Sequence, residues 1–170
     1  MRLGEMTPGS KFENELGVFV VLGHDRNQTK VITEKLYRKN AEFGKTCNYM
    51  ESKLKKMFDE EITPEFEKVF GDALKEHEVN LMSVDVQQYG KFNCKVRPMT
   101  FDEVREFNDL IVNKELPDWW WTCTPWSTQE RGWKYTVAVV SPSGNVCNVS
   151  CSRNNGVRPF CILDSNICVS

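Results

Sequence analysis

The stretch Asp118-Trp119-Trp120-Trp121-Thr122-Cys123-Thr124-Pro125-Trp126-Ser127, answered further along by Asn155-Gly156-Val157-Arg158-Pro159-Phe160, decides how this chain is read. Four of its five tryptophans lie within eight positions. An indole carries a large apolar area and one N–H that needs a partner, so such a cluster anchors either a core or a binding surface. Successive side chains on a strand point to opposite faces, so Trp119, Trp120 and Trp121 cannot all share one side. Two readings stay open: a core straddling both faces of a sheet, and a binding site lined with indoles. Arg158 divides in the same way. Its neighbours Val157, Pro159, Phe160 and Ile162 read as a packed strand. The expected role is a buried clamp whose five donors hold carbonyls or carboxylates, with ligand recognition as the alternative.

Between the two motifs lies the strongest local signal in the chain. Tyr135 to Val140 is rich in β-formers, Ser141-Pro142-Ser143-Gly144 suits a type I turn, and Asn145 to Ser152 returns as the second strand of a hairpin. On that strand Cys147, Val149 and Cys151 share a face, which predicts a core face. Four residues of strand would also set the two cysteines about 13 Å apart, too far for a metal or redox pair.

Working toward the N-terminus, Thr100-Phe101-Asp102-Glu103 is a capping box. The helix it opens places Phe101, Val104, Phe107, Leu110 and Ile111 on one face. Thr63-Pro64 predicts a helix start, with the threonine as cap and proline in the first turn, followed by the stripe Phe66, Val69, Phe70, Ala73 and Leu74. An earlier helix, capped by Asn48, carries Met50, Leu54, Met57 and Phe58. Val79 to Val84 alternates like a strand, and Pro98 ends the extended structure before the third helix. Leu16 to Leu22 and Lys30 to Thr33 predict an N-terminal hairpin around a polar loop from Gly23 to Thr29, while Tyr37 to Cys47 reads as loop. No linker divides the chain. One α+β domain is expected over residues 1–170, with its core about 12–163.

Composition narrows the function classes. A chain of 170 residues with 40% hydrophobic and 27% charged residues reads as an ordinary globular domain able to bury roughly 70% of its unfolded surface. A net charge of −2 and a pI near 5.8 argue against direct nucleic-acid binding, which needs a basic footprint. Glu51 to Glu78 holds nine carboxylates against five lysines, a solvated helix face in the plainest reading and a surface for a basic partner in the sharper one. No apolar signal-peptide core opens the sequence and no run of eighteen apolar residues occurs. A cytoplasmic protein without membrane contact is therefore expected. Its seven cysteines should be thiols.

Catalytic signals are sparse. The two histidines, His24 and His77, belong to no triad, and no nucleophile elbow, zinc-protease pair, P-loop or dinucleotide fingerprint is present. No catalytic residue, metal site or cofactor is expected. The binding candidates are Trp119, Trp121, Trp126, Arg131 and Arg158.

The order of hairpin, helices, Trp-Trp-x-x-(Ser/Thr)-Pro, hairpin and Gly-Val-Arg-Pro resembles an uncharacterised domain family common in gut bacteria, phages and prophages. That family's signature reads like WWLRSPG followed by GVRPALWL. The matching residues are Trp119-Trp120 or Trp120-Trp121, Thr124-Pro125, and Gly156-Val157-Arg158-Pro159-Phe160. Thr122 or Cys123 stands where the family has an arginine. The family in turn looks like the C-type-lectin-like and formylglycine-generating-enzyme folds, whose enzyme branch binds copper through paired cysteines. The resemblance implies a C-type-lectin-like domain with a small antiparallel sheet, two or three helices and long loops. It further implies a non-enzymatic phage or prophage module that binds a host or phage protein, one form being an inhibitor of a host defence complex. The alternatives are a binder of a sugar, nucleotide or anion, and a copper or thiol enzyme.

Overall fold

The computed structural model describes all 170 residues. In chain order it runs β1 (Lys11–Asn14), β2 (Gly17–Asp25), β3 (Gln28–Thr33), β4 (Arg38–Glu42), α1 (Lys53–Met57) and α2 (Thr63–Phe70). There follow β5 (His77–Met82), β6 (Gln88–Cys94), β7 (Val96–Arg97), α3 (Phe101–Glu106) and α4 (Asn108–Ile111). The last third is β8 (Trp120–Pro125), β9 (Thr136–Val140), β10 (Val146–Ser150), β11 (Asn154–Val157) and β12 (Phe160–Asp164). The architecture is α+β. It holds two five-stranded sheets, ordered β1-β2-β3-β12-β7 and β10-β9-β8-β11-β4, plus the separate β5-β6 hairpin. This is more sheet than the single small one expected. One pairing is parallel, Gly156 of β11 against Trp120 of β8; the other ladders are antiparallel.

The central strands are apolar on both faces, and the reason is visible in the packing. Phe19, Val21, Val31, Trp121, Val139 and Leu163 join the larger core with Leu54, Phe58, Ile62 and Phe66, from the helical stretch that runs from α1 to α2. Val20, Ile32, Trp120, Val140 and Phe160 join a second core with Val104 and Ile111 of α3 and α4. A strand covered on both sides reads as a continuous apolar run, as Leu16 to Leu22 does. The chain ends are tied together beyond the expected 12–163 core: Leu3 is buried, its N–H donates to the Ile167 carbonyl at 2.8 Å, and Val169 N–H donates to that of Met1 at 2.9 Å.

Both expected hairpins form. The 135–140/145–152 pair appears as β9 and β10, with Gly144 N–H closing the turn on the Ser141 carbonyl at 2.9 Å. In the N-terminal pair the expected loop is strand: His24 pairs with Thr29 and Asp25 with Gln28, leaving a two-residue turn with Arg26 at φ 57°. The Tyr37–Cys47 region contains β4, whose alternation is hidden because Arg38, Lys39 and Asn40 face outward and Ala41 alone is buried.

The first two predicted helices are one. Asn48 caps only a short turn over Tyr49–Glu51, Ser52 caps α1, and helical backbone then continues without a break to Phe70. Thr63 is inside that helix rather than at its start. Its N–H reaches back five residues to the Phe58 carbonyl, a wide turn that absorbs Pro64, which has no N–H to offer. The third helix starts on its capping box, Glu103 N–H to Thr100 Oγ1 at 3.3 Å and Thr100 N–H to Glu103 Oε1 at 2.9 Å, but is broken at Phe107. Cys147 also departs from expectation. It is exposed, because β10 is the outermost strand and pairs only with β9.

Candidate binding surface

The tryptophan run is mostly interior. Trp120 and Trp121 are fully buried on opposite faces of β8, as alternation requires, with Trp121 Nε1 donating to the Ala41 carbonyl at 2.7 Å and Trp120 Nε1 unpartnered. Arg158 is 1% exposed. Its Nε donates to the Thr33 carbonyl at 2.7 Å, Nη1 to Ile111 at 2.6 Å and Nη2 to Glu34 at 3.2 Å, and the guanidinium lies 5.1 Å from the Trp120 ring centre. Burial pushes its pKa down to about 10, opposed by the charge of Glu34. The clamp reading holds: one side chain ties the end of β3, at Thr33 and Glu34, to the last residue of α4, Ile111. Trp121 and Arg158 are thus removed from the binding candidates, since no surface ligand reaches them.

Three candidates remain at the surface, and they do not converge. Trp119 and Trp126 are half-buried and flank opposite ends of β8. Trp126 and Arg131 belong instead with a loop that the sequence reading undervalued. Between β8 and β9, residues 126–135 carry Trp133, 48% exposed, and Tyr135, 57% exposed. Trp133 lies outside the tryptophan cluster, and its only sequence cue was that isolation next to Gly132.

This loop is held, not loose. Asp85, in the β5–β6 turn, accepts from Ser127 Oγ at 2.6 Å, from Ser83 Oγ at 2.5 Å and from Arg131 Nη1 at 3.1 Å. Partial desolvation raises the Asp85 pKa, and these three donors outweigh it, keeping the carboxyl below its ordinary range. Gln129 N–H donates to Tyr89 Oη at 2.9 Å, Trp133 N–H to the Thr128 carbonyl at 3.0 Å, and Cys47 N–H to the Lys134 carbonyl at 2.7 Å. Beside it projects Val86, 65% exposed and at φ 66°. A β-branched residue in the left-handed region is strained, and such strain persists only where surroundings impose it. Ser83 imposes it here, through Val86 N–H to its carbonyl at 3.0 Å and Gln87 N–H to its Oγ at 2.9 Å.

A second feature is a crevice of about 250 Å³ between β5 and α3. At its base Arg97 forms a two-pronged pair with Glu103, at 2.6 and 2.9 Å, donates to the Pro98 carbonyl at 3.1 Å and from Nε to His77 Nε2 at 3.1 Å. His77 Nδ1 lies 3.1 Å from the Lys75 carbonyl, so the tautomer protonated at Nδ1 satisfies both contacts. Burial, then the Arg97 charge, lowers the His77 pKa to about 4. Desolvation raises that of Glu103, but the Arg97 hydrogen bond and charge outweigh it and hold it low. His24 is tied between the Met6 carbonyl and Thr29 Oγ1, both at 2.7 Å.

No group of three or more His, Cys, Asp or Glu side chains is placed to hold a metal ion, and all seven cysteines are free thiols. Cys147 is exposed and Cys151 buried, so these two do not form a paired-cysteine copper site. No helix is long and apolar enough to cross a membrane. No protein family, curated protein or solved structure matches this chain.

Proposed function

We propose that the chain is a non-enzymatic protein-binding module of phage or prophage type, built on a C-type-lectin-like α+β scaffold, and that residues 126–135 with the Val86 turn are its recognition surface. The observation that carries this reading is a pair of large exposed aromatic side chains, Trp133 and Tyr135, on a loop stapled through Asp85. Tryptophan, tyrosine and arginine dominate binding energy at interfaces, and a loop already ordered loses less entropy on docking. The partner is a host or phage protein. An inhibitor of a host defence complex is the specific form proposed, because the carboxylates of Glu51–Glu78 would suit a basic, nucleic-acid-binding target.

Capture from bacterial host lysate on immobilised protein tests the proposal. The expected result is a stoichiometric partner whose affinity falls at least tenfold in the Trp133→Ala, Tyr135→Ala double variant, with folding intact. Recovery of no stoichiometric partner, or of one indifferent to the double variant, counts against it.

The small-ligand reading retains one observation, the crevice beside Arg97 and Glu103. A thermal-shift panel of sugars, nucleotides and anions tests it. A ligand at a hundred times its dissociation constant adds about 2.7 kcal/mol of stability, and no stabilising compound leaves the protein-binding reading alone.

A further inference from the structure

The sheet that carries the tryptophans ends on β10, and that edge differs from every other in the molecule. Edge strands expose unpaired N–H and C=O groups, and natural proteins guard them with charge, proline, bulges or brevity. Here β1 carries Lys11 and Glu13, β4 carries Arg38, Lys39 and Glu42, β7 is two residues long, and the β5–β6 hairpin carries Glu78 and Lys91. β10 reads Val-Cys-Asn-Val-Ser, without charge or proline. Its ladder with β9 is unbroken over five residues, so no bulge turns the edge away.

The register also says which groups are free. Val146 pairs with Val140 and Ser150 with Thr136. The flanking bonds, Ser141 N–H to the Asn145 carbonyl and Cys151 N–H to that of Tyr135, fall at odd-numbered positions of this strand. Antiparallel bonding alternates along the ladder, so the backbone groups of Val146, Asn148 and Ser150 point away from β9. Of these, the Ser150 carbonyl already accepts from Arg153 N–H at 3.1 Å and has one lone pair left, and the others make no backbone bond.

We infer that β10 is a self-pairing edge: two copies of this chain join antiparallel about Asn148, extending two five-stranded sheets into one of ten strands. A second copy fits by symmetry. Centring on Asn148 sets Val146 opposite Ser150 and Cys147 opposite Val149. The two Asn148 residues then exchange both their backbone bonds, Ser150 N–H meets the Val146 carbonyl, and Val146 N–H meets the second lone pair of the Ser150 carbonyl; no charge faces a charge. The ends match too. Antiparallel pairing brings the turn after β10, with Arg153, toward the partner's 141–145 turn, which rests on α4 through Asn108 Nδ2 donating to the Gly144 carbonyl at 2.9 Å. That helix carries Asp109. Arg153 and Asp109 are both exposed, and neither has an ion-pair partner within the chain. A five-residue edge buries little area, so the dimer is weak and concentration-dependent. It uses a different surface from the aromatic loop and stands or falls independently of it.

Sedimentation across a concentration series, with thiol crosslinking, tests the inference. In a Cys168→Ser background, Val149→Cys places a thiol opposite Cys147 of the other copy. Facing positions of this type have Cβ atoms about 4.5–5.5 Å apart, within reach of a disulfide after slight adjustment. Mild oxidation should then give a covalent dimer that disappears when Cys147→Ser is added. Two Cys147 side chains lie diagonally, about 7–8 Å apart, so the background alone should not crosslink. Asn148→Pro removes an N–H that β9 does not use; it should leave the melting temperature nearly unchanged and abolish the dimer. A chain that stays monomeric at its highest soluble concentration and forms no crosslink overturns the proposal. So does a dimer that Asn148→Pro leaves intact in a folded protein.

Discussion

Arg158 and Trp126 test the division between core and surface at the scale of one residue. Arg158→Ala removes a buried donor from the carbonyls of Thr33 and Ile111, while the Glu34 carbonyl keeps Asn113 Nδ2 at 3.0 Å. We expect a loss of about 3–5 kcal/mol in a denaturant melt, with most soluble protein lost. Arg158→Lys should rescue little, since an ammonium cannot reproduce the planar fork. Trp126→Ala, at a half-buried position, should melt within a few degrees of the parent. His77 sets an acid limit. Its pKa falls from 6.5 to about 4 on folding through burial, then the Arg97 charge, with Lys30 adding to the shift and the Lys75 carbonyl and Glu103 opposing it. The unfolded chain therefore binds more protons between those values, and stability falls as pH drops from about 6.5 to 4, by up to about 3 kcal/mol. Glu103, whose pKa is depressed, extends the loss below its ordinary range near 4.5. His77→Gln should flatten the upper part of a stability-against-pH curve while leaving the lower part in place; an unchanged slope above pH 4.5 would remove His77 from this role.

At the scale of elements, the decisive joint is the parallel contact between β8 and β11. Gly156 N–H donates to the Trp119 carbonyl at 2.8 Å, and a Cβ at Gly156 would lie 2.6 Å from Leu36 Cδ1. Glycine there leaves the space that the Leu36 side chain fills. Gly156→Ala should cost about 1–3 kcal/mol by overpacking. Leu36→Ala in the same chain should return part of it, so that the two changes are less than additive in a double-mutant cycle. Additive losses would mean that the strand moved rather than the leucine. The long helix shows the opposite tolerance, since Pro64 survives mid-helix because the wide turn at Phe58–Ile62 leaves its missing N–H without consequence.

For the molecule as a whole, cohesion comes from two cores on opposite faces of the sheets and from ends tied together, with no disulfide involved. Addition of a thiol reductant should leave the melting temperature unchanged; a fall would reveal a bridge between cysteines that are separate here. The aromatic loop lies outside both cores. Trp133→Ala with Tyr135→Ala should therefore keep the melt within a few degrees while removing partner affinity, a combination no core substitution can produce.

Local chemistry by itself determined the C-terminal hairpin and the Thr100–Glu103 capping box, and it favoured a clamp at Arg158 while leaving ligand recognition open. Each depends on neighbours in sequence: turn residues at set positions, a cap three residues from its partner, an arginine enclosed by apolar strand residues. The opposite faces taken by Trp120 and Trp121 followed from alternation alone. Tertiary structure decided the rest. Whether Lys39 or Cys147 is covered depends on which strands lie at the two edges of their sheet, and strand order is not written in any local period. Helix continuity through Thr63-Pro64 was set by packing of Phe58, Ile62 and Phe66 on one core, which outweighs a local start signal. The proposed recognition surface was the least legible part. Asp85 is 42 residues from Ser127 and 46 from Arg131, and only the fold brings that carboxylate to the donors that hold Trp133 and Tyr135 in view.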